Sequence, residues 1–284
     1  MHRFDRGFVV LSGDRVRVRT KAVRAPAGAT VVVRIAQDGR DLRLRRHAVG
    51  RTRTTFSDAV RASGGGILTV RVRLAGPDGK PLVRRPALRA GVLQPAASVG
   101  ARGARVRFLQ RRLAALRYAI AVTGRYDDAT RRAVIAFRKV NRMKRVSNAS
   151  RAVFSKVARG RGAFRPRHRG AAHVEGDLTR QVLALVNRRG RVFKVYMTSS
   201  GRNGLNTPTG VHTFWRKEAG WNSSGMLDSS YFTHASGPRT DCAIHGYFVV
   251  PTWNASHCCF RVPVADARKI FNWVRVGERI YVYH

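Results

Sequence analysis

Cysteine is scarce in this chain of 284 residues: only Cys242, Cys258 and Cys259 occur, close together near the C-terminal end. That placement excludes a disulfide framework spread over the chain. No C-x-x-C or H-x-x-x-H pair occurs either, so the usual paired spacings of a structural zinc site are missing. Acidic residues are equally few: 15 Asp and Glu stand against 56 Lys and Arg, giving a formal net charge of +41 and a sequence pI near 11.9. A field of that sign draws the protein toward something anionic, whether nucleic acid, a membrane surface or an acidic wall polymer, and charge alone does not choose among them. The basic residues are spread along the chain, which suits solvated strand and helix faces as well as a binding groove. No stretch approaches the ~20 apolar residues of a membrane helix, and the first residues lack a charged start followed by an apolar run. They already read as strand, so any export signal is expected upstream of Met1.

What is present divides by periodicity, and the length predicts two or three domains of ~100 to 150 residues each. Over residues 8–74 apolar residues and arginine alternate, as in Arg15-Val16-Arg17-Val18-Arg19 and Leu68-Thr69-Val70-Arg71-Val72-Arg73-Leu74. Period two with one wet face predicts antiparallel strands. Turn chemistry separates them at Gly13-Asp14, Asp38-Gly39 and Pro77-Asp78-Gly79. Several short strands at this spacing predict a β-sandwich over residues 1–92, resembling the immunoglobulin-like modules of exported proteins, in the role of spacer or docking module. Pro86 and Pro95 mark residues 84–97 as a linker.

The period then becomes helical. Val106, Leu109, Gln110, Leu113 and Leu116 predict one helix, a turn follows at Gly124-Arg125-Tyr126, and a second helix begins under a cap at Asp127 or Asp128, with Val134, Ile135, Phe137 and Val140 inward. A third helix is predicted near residues 150–157. The Val106-Arg107-Phe108-Leu109-Gln110 run, the Gly124-Arg125-Tyr126 turn, Thr130 and Ala133-Val134-x-x-Phe137 together resemble the peptidoglycan-binding three-helix module of wall enzymes, over residues 98–158. The family's Gln after the helical Phe is Arg138 here, and its second Asp-Gly turn is missing. Residues 158–170 read as a basic, Gly-rich linker with only Phe164 as a stacking surface, unlike single-strand nucleic-acid binders, which interleave several aromatics.

From residue 172 to 284 the reading returns to strands, with hairpins over 174–197, a loop held by Thr207, Pro208 and Gly210, a short helix near 267–273 and a closing strand near 277–283. The chemistry gathers in Ile244-His245-Gly246-Tyr247 and Ser256-His257-Cys258-Cys259-Phe260-Arg261. A nucleophilic thiol needs a base for its proton and donors for the oxyanion it creates, and these segments offer both. Zinc ligation and a plain buried cysteine are the competing readings.

Taken with the Thr207-Pro208 loop and Met226, those two segments resemble the L,D-transpeptidase catalytic domain over residues 172–284. The resemblance implies a multidomain α+β protein whose last domain is mainly β. It also implies a cysteine-dependent enzyme of bacterial peptidoglycan: the thiol attacks the third residue of a donor stem peptide, a thioester forms, and an acceptor amine closes a 3→3 cross-link, or water hydrolyses it. On that likeness Cys259 is the nucleophile, His245 the base, and Gly246 its orienter through a backbone carbonyl. His257, Cys258 and Ser256 support the turn, with the backbone N–H groups of Cys258 and Cys259 as oxyanion donors. Arg261 binds a stem-peptide carboxylate or pairs structurally, and Tyr247 and Trp253 line the cleft or belong to the core. Thr207 and Pro208 border the substrate. No metal or cofactor is implied. The expected partners are stem peptides and glycan, with anionic wall polymers but not nucleic acid, in an extracytoplasmic location.

Cys258 stands where that family has glycine. If the position takes positive φ, a side chain there costs on the order of 1 kcal/mol and tilts the oxyanion donors. The alternative function is then a catalytically weak wall-binding protein. The second thiol leaves two further readings open: Cys258 is itself reactive, or one of the pair bonds to Cys242.

Overall fold

The computed structural model describes residues 1–4, 7–50, 53–233 and 241–284, and the chain forms two compact units, Met1–Ala96 and Ala97–His284. The first unit is all β: β1 (His2–Phe4), β2 (Gly7–Leu11), β3 (Arg15–Ala22), β4 (Thr30–Gln37), β5 (Arg40–Ala48), β6 (Thr54–Arg61), β7 (Ile67–Ala75), β8 (Pro81–Arg84) and β9 (Leu88–Leu93). Seven of them form one sheet in the order β1-β2-β9-β7-β4-β5, with β8 on β7, while β3 and β6 pair separately. The alternation sets which side chains go inward: Val31, Val33 and Ile35 of β4 join Val16, Val60, Leu68, Val70 and Val92 in one core. Arginines of β5 stay exposed at the sheet edge, where charge discourages pairing with another chain.

Residues 84–97 correct the linker expected there. They carry β9, which lies between β2 and β7, parallel to the first and antiparallel to the second. Pro86 and Pro95 flank the strand instead of interrupting it, and Ala90 and Val92 are buried.

The second unit begins with α1 (Ala104–Ala115), α2 (Asp128–Val140) and α3 (Arg151–Ala158). Gln110 on α1 is fully buried and explains itself through its amide. Its nitrogen lies within 3.1 Å of Thr123 Oγ1, Arg125 O and Thr130 Oγ1, three acceptors that share its two protons, and its oxygen accepts from the N–H groups of Thr123 and Gly124. One side chain thus satisfies the turn between α1 and α2, where Gly124 takes φ 77°. Asp127 caps α2, accepting from the N–H of Thr130 at 2.9 Å.

The strands follow: β10 (His173–Asp177), β11 (Val182–Val186), β12 (Val192–Met197), β13 (Gly210–Thr213), β14 (Arg216–Trp221), β15 (Leu227–Tyr231), β16 (Ala243–Tyr247) and β17 (Phe260–Pro263), then α4 (Val264–Trp273) and β18 (Arg279–Tyr283). They make a five-stranded sheet, β12-β11-β10-β18-β13, and a four-stranded one, β14-β15-β16-β17. Val174, Leu183 and Ile280 of the first share a core with Phe232, Ile244 and Phe260. α4 lies against β16 so closely that a Cβ on Gly246 would sit 2.7 Å from that of Ala267, which is why glycine occupies the position.

The helices and the strands are joined by buried polar contacts. Arg132 of α2 pairs with Asp266 of α4 at 2.9 Å, both side chains nearly inaccessible. Lys139, 1% exposed, donates to Gln181 O and Thr198 O, and burial lowers its pKa well below the usual lysine value. Arg145 donates to Thr252 O and Thr179 O. Residues 158–170 are likewise no free linker. Phe164 is buried, Gly162 O accepts from Tyr118 Oη, the N–H groups of Arg167 and His168 donate to Glu175, and the His168 ring stacks on Tyr281 at 3.9 Å.

Candidate active site

The site is built where two parallel strands meet. In the β16–β17 ladder Ile244 faces Phe260 and His245 faces Arg261, so Cys259, one residue before β17, comes level with Ala243. Its sulfur accepts from the Ala243 N–H at 3.3 Å and lies 3.9 Å from Asp241 O. His245, on the neighbouring strand, opens into the same cleft, a cavity of about 260 Å³ lined also by Ser224, Met226, Tyr247 and Arg261. Its Nδ1 is 3.0 Å from Gly246 O. A carbonyl only accepts, so Nδ1 carries the proton and Nε2 keeps a free lone pair. The imidazole is thereby held in the tautomer a general base needs.

Burial sets the charge state of both groups. Desolvation pushes the Cys259 thiol up to about 11, against the opposing pull of the Ala243 N–H and the Arg261 charge. Desolvation also lowers His245 to about 4, helped by Arg261 and opposed by the Gly246 carbonyl. At neutral pH the pair therefore rests as thiol and neutral imidazole, not as thiolate and imidazolium.

The turn before Cys259 is held from behind. Ser200 O accepts from the N–H groups of Ala255 and Ser256, Ser199 pairs with Arg261 through both backbone groups, and Thr198 Oγ1 donates to Arg261 O at 2.7 Å. Ser256 Oγ donates to Cys259 O. Because Lys139 holds Thr198 O, helix α2 reaches the floor of the site through this segment.

The sequence-predicted residues separate into two groups. Cys259, His245, Tyr247, Arg261, Ser256 and His257 share the cleft. Arg261 stacks over the Tyr247 ring at 4.2 Å, and among the described residues no carboxylate pairs with it. His257 is exposed, its Nε2 3.4 Å from an Arg202 nitrogen that only donates, so that ring nitrogen is occupied as an acceptor. Thr207, Pro208 and Trp253 lie outside the cleft lining. Thr207 is buried behind the turn, where its hydroxyl donates to Cys258 O at 2.6 Å and accepts from the Gly201 N–H. Pro208 is exposed, and Trp253 turns its ring outward at 62% exposure while its carbonyl accepts from Ser199 Oγ. Asp241 and Ser224 line the cleft without having been anticipated. A backbone carbonyl and a small hydroxyl carry no sequence signature, so only the register reveals them.

Cys258 is the largest correction. It is bonded to Cys242, with a Cα separation of 5.5 Å, and Cys259 is the free thiol. Two of the three sulfurs are thus taken, which removes the reactive-Cys258 reading. Nor does Cys258 take a positive φ: the described non-glycine residues that do are Arg24, Asp38, Arg117, Arg142, Gln181 and Asp228. The backbone strain expected from placing a side chain there does not arise.

A family model described as the L,D-transpeptidase catalytic domain matches residues 171–282, and one described as a peptidoglycan binding domain matches residues 102–147. Among solved structures, the L,D-transpeptidase from Xylanimonas cellulosilytica is 30% identical with a TM-score of 0.59, over 67% of this chain and 98% of that chain. An L,D-transpeptidase from Stackebrandtia nassauensis is 20% identical with a TM-score of 0.40, over 66% and 95%. L,D-transpeptidase 3 from Mycobacterium tuberculosis is 18% identical with a TM-score of 0.35, over 40% and 61%. No curated protein matches the chain. The catalytic-domain match falls on the two sheets of the second unit, one of which carries His245 and leads into Cys259, the peptidoglycan-binding match falls on α1 and α2, and the chain belongs to the L,D-transpeptidase family.

Proposed function

We propose that this protein is a cysteine L,D-transpeptidase that forms 3→3 cross-links between peptidoglycan stem peptides. The observation that carries the proposal is the single free thiol, Cys259, in one cleft with an imidazole whose Nε2 lone pair is unprotonated. As the Cys259 sulfur attacks the carbonyl of the third donor residue, its proton passes to His245 Nε2. The oxyanion is met by the backbone N–H groups of Cys258 and Cys259. The bond to the terminal D-alanine breaks, and His245 returns the proton to the leaving amine. A thioester remains. An acceptor amine, losing its proton to His245, attacks that thioester, and the thiol leaves and recovers the proton. Arg261, which has no carboxylate partner among the described residues, is the group to meet a stem-peptide carboxylate, bidentately where geometry allows.

The helical module, by this reading, holds the glycan, and the all-β first unit is a spacer that uses the net charge of +41 toward anionic wall polymers. A location outside the cytoplasm is supported by the disulfide, since such bonds persist in oxidising compartments. The alternative of a catalytically weak wall-binding protein rested on strain at Cys258 and loses its support with the unstrained backbone there. The test is a digest of sacculi incubated with the protein. New 3→3 dimers are expected; shortened monomers without dimers would mean hydrolysis, and unchanged muropeptides with retained binding would mean inert attachment.

The charge states fix a pH signature. The reactive form of the free enzyme holds one proton between His245 and Cys259, so kcat/KM should be flat from about pH 5 to about pH 9 and fall about tenfold per pH unit once His245 protonates, below about pH 4. Acylation by a carbapenem, a lactam that mimics the acyl donor of this family, reports the profile. A rate rising about tenfold per unit between pH 6 and pH 9 would instead mean attack by preformed thiolate without the base.

A further inference from the structure

The Cys242–Cys258 bond occupies a particular place in the ladder. Ile244 faces Phe260 as the first registered pair of β16 and β17, and stepping back two residues on each strand brings Cys242 level with Cys258. The disulfide therefore continues the parallel ladder past its last hydrogen-bonded pair. Stepping back one residue brings Ala243 level with Cys259. The groups that touch the Cys259 sulfur, Asp241 O and Ala243 N–H, are the two chain neighbours of Cys242. Each half of the disulfide is thus one residue away from a group that fixes the nucleophile. Hydrogen bonds from Thr207 to Cys258 O and from the Ala255 and Ser256 N–H groups to Ser200 O tie the turn to the segment behind it, and Ser256 Oγ ties it to itself at Cys259 O. Apart from the contacts of the thiol itself, the disulfide is the covalent tie from the turn to the start of β16.

We propose that the Cys242–Cys258 disulfide is the positioning element of the nucleophile, so that closing it sets Cys259 against its base and reducing it switches acyl transfer off. The inference rests on the reading of Cys259 as nucleophile. In the switching step a dithiol supplies two electrons: the S–S bond breaks, Cys242 and Cys258 each leave as a thiol with one proton, and the dithiol closes to its own disulfide. Freed of the tie, the turn keeps its hydrogen bonds to Thr207 and to residues 198–202 but loses its covalent link to the start of β16, and a sulfur displaced by about 1 Å loses on the order of 100-fold in rate.

The test compares the second-order rate of carbapenem acylation at Cys259, followed by intact mass, in oxidised protein and in protein treated with dithiothreitol. Near-UV circular dichroism is recorded in parallel. Expected is a 10- to 100-fold loss of rate while the near-UV signal is retained, full recovery on reoxidation, and the same low, reductant-insensitive rate in Cys242→Ser and Cys258→Ser. With a stem-peptide donor the loss should fall on kcat and leave KM little changed, a split that a purely structural bond would not produce. Reduced, folded protein that acylates at the oxidised rate would overturn the proposal, as would a loss of rate that tracks the loss of near-UV signal. Acylation of the oxidised protein elsewhere than Cys259 would overturn the nucleophile assignment and the role of the bond with it, whereas reduced, folded protein acylated on Cys259 at the oxidised rate overturns the role of the bond alone.

Discussion

Cys259→Ser is expected to lower cross-linking by roughly four to six orders of magnitude, the range seen when a nucleophile is removed from a working triad or dyad. The magnitude follows from the resting charge states. A thiol near 11 is already a demanding proton donor for an imidazole near 4, and a serine hydroxyl is more demanding still, so the same base fails to activate it. The fold should be indifferent to the change. The sulfur is buried with one backbone N–H at 3.3 Å, and a hydroxyl accepts that hydrogen bond as well as a thiol does. Product analysis by mass spectrometry, with circular dichroism as a control for folding, checks both halves. Cross-linking retained in Cys259→Ser would transfer the chemistry to another group.

Removing the disulfide should cost the second unit a large share of its stability. The bond closes a loop with a sequence separation of 16, and a loop of that size corresponds to about 3 kcal/mol of restricted unfolded-state freedom at 25 °C. For a unit of this size that amounts to roughly 6 to 12 °C in Tm. The double variant Cys242→Ser/Cys258→Ser, melted beside the oxidised parent, gives the number directly. An unchanged Tm would mean that the loop is already ordered when the rest of the unit unfolds. This thermodynamic effect is separate from the rate effect inferred above, because it acts on the unfolded chain and not on the placement of Cys259.

The same residues show where the sequence was readable. Period-two runs such as Arg15 to Arg19 state their inward faces without context, and the helical spacing around Leu109 and Val134 does the same for α1 and α2. The pair Cys259 and His245 was legible because its chemistry needs particular residue types in an ordered motif. β9 was hidden by composition: two prolines read as a break, although both stand just outside the paired segment. The stretch 158–170 was hidden for the opposite reason, since its arginines and glycines read as a solvated linker while one aromatic, Phe164, anchors it.

The remaining differences concern where a loop residue points. Thr207 and Trp253 lie in loops that do border the site, but no periodicity fixes the side on which a loop side chain falls. Thr207 turned inward to hold Cys258 O, and Trp253 turned out. The disulfide belongs to the same class. Three cysteines within a few turns of chain allow more than one pairing, and only the parallel register of β16 and β17 brings Cys242 level with Cys258. Gln110 is a case of meaning without direction: its place on the inward stripe was visible, yet its hydrogen bonds to the turn and to Thr130 of α2 depend on the fold around it.

The central claim is that Cys259 carries the acyl group. It is tested most directly by trapping the oxidised protein with a stem-peptide donor in the absence of an acceptor, then locating the adduct by peptide mass mapping. The account predicts a thioester on Cys259, absent in Cys259→Ser and slowed by about 10² to 10⁴ in His245→Gln. An adduct on any other residue, or 3→3 products formed with no thioester at Cys259, would contradict it.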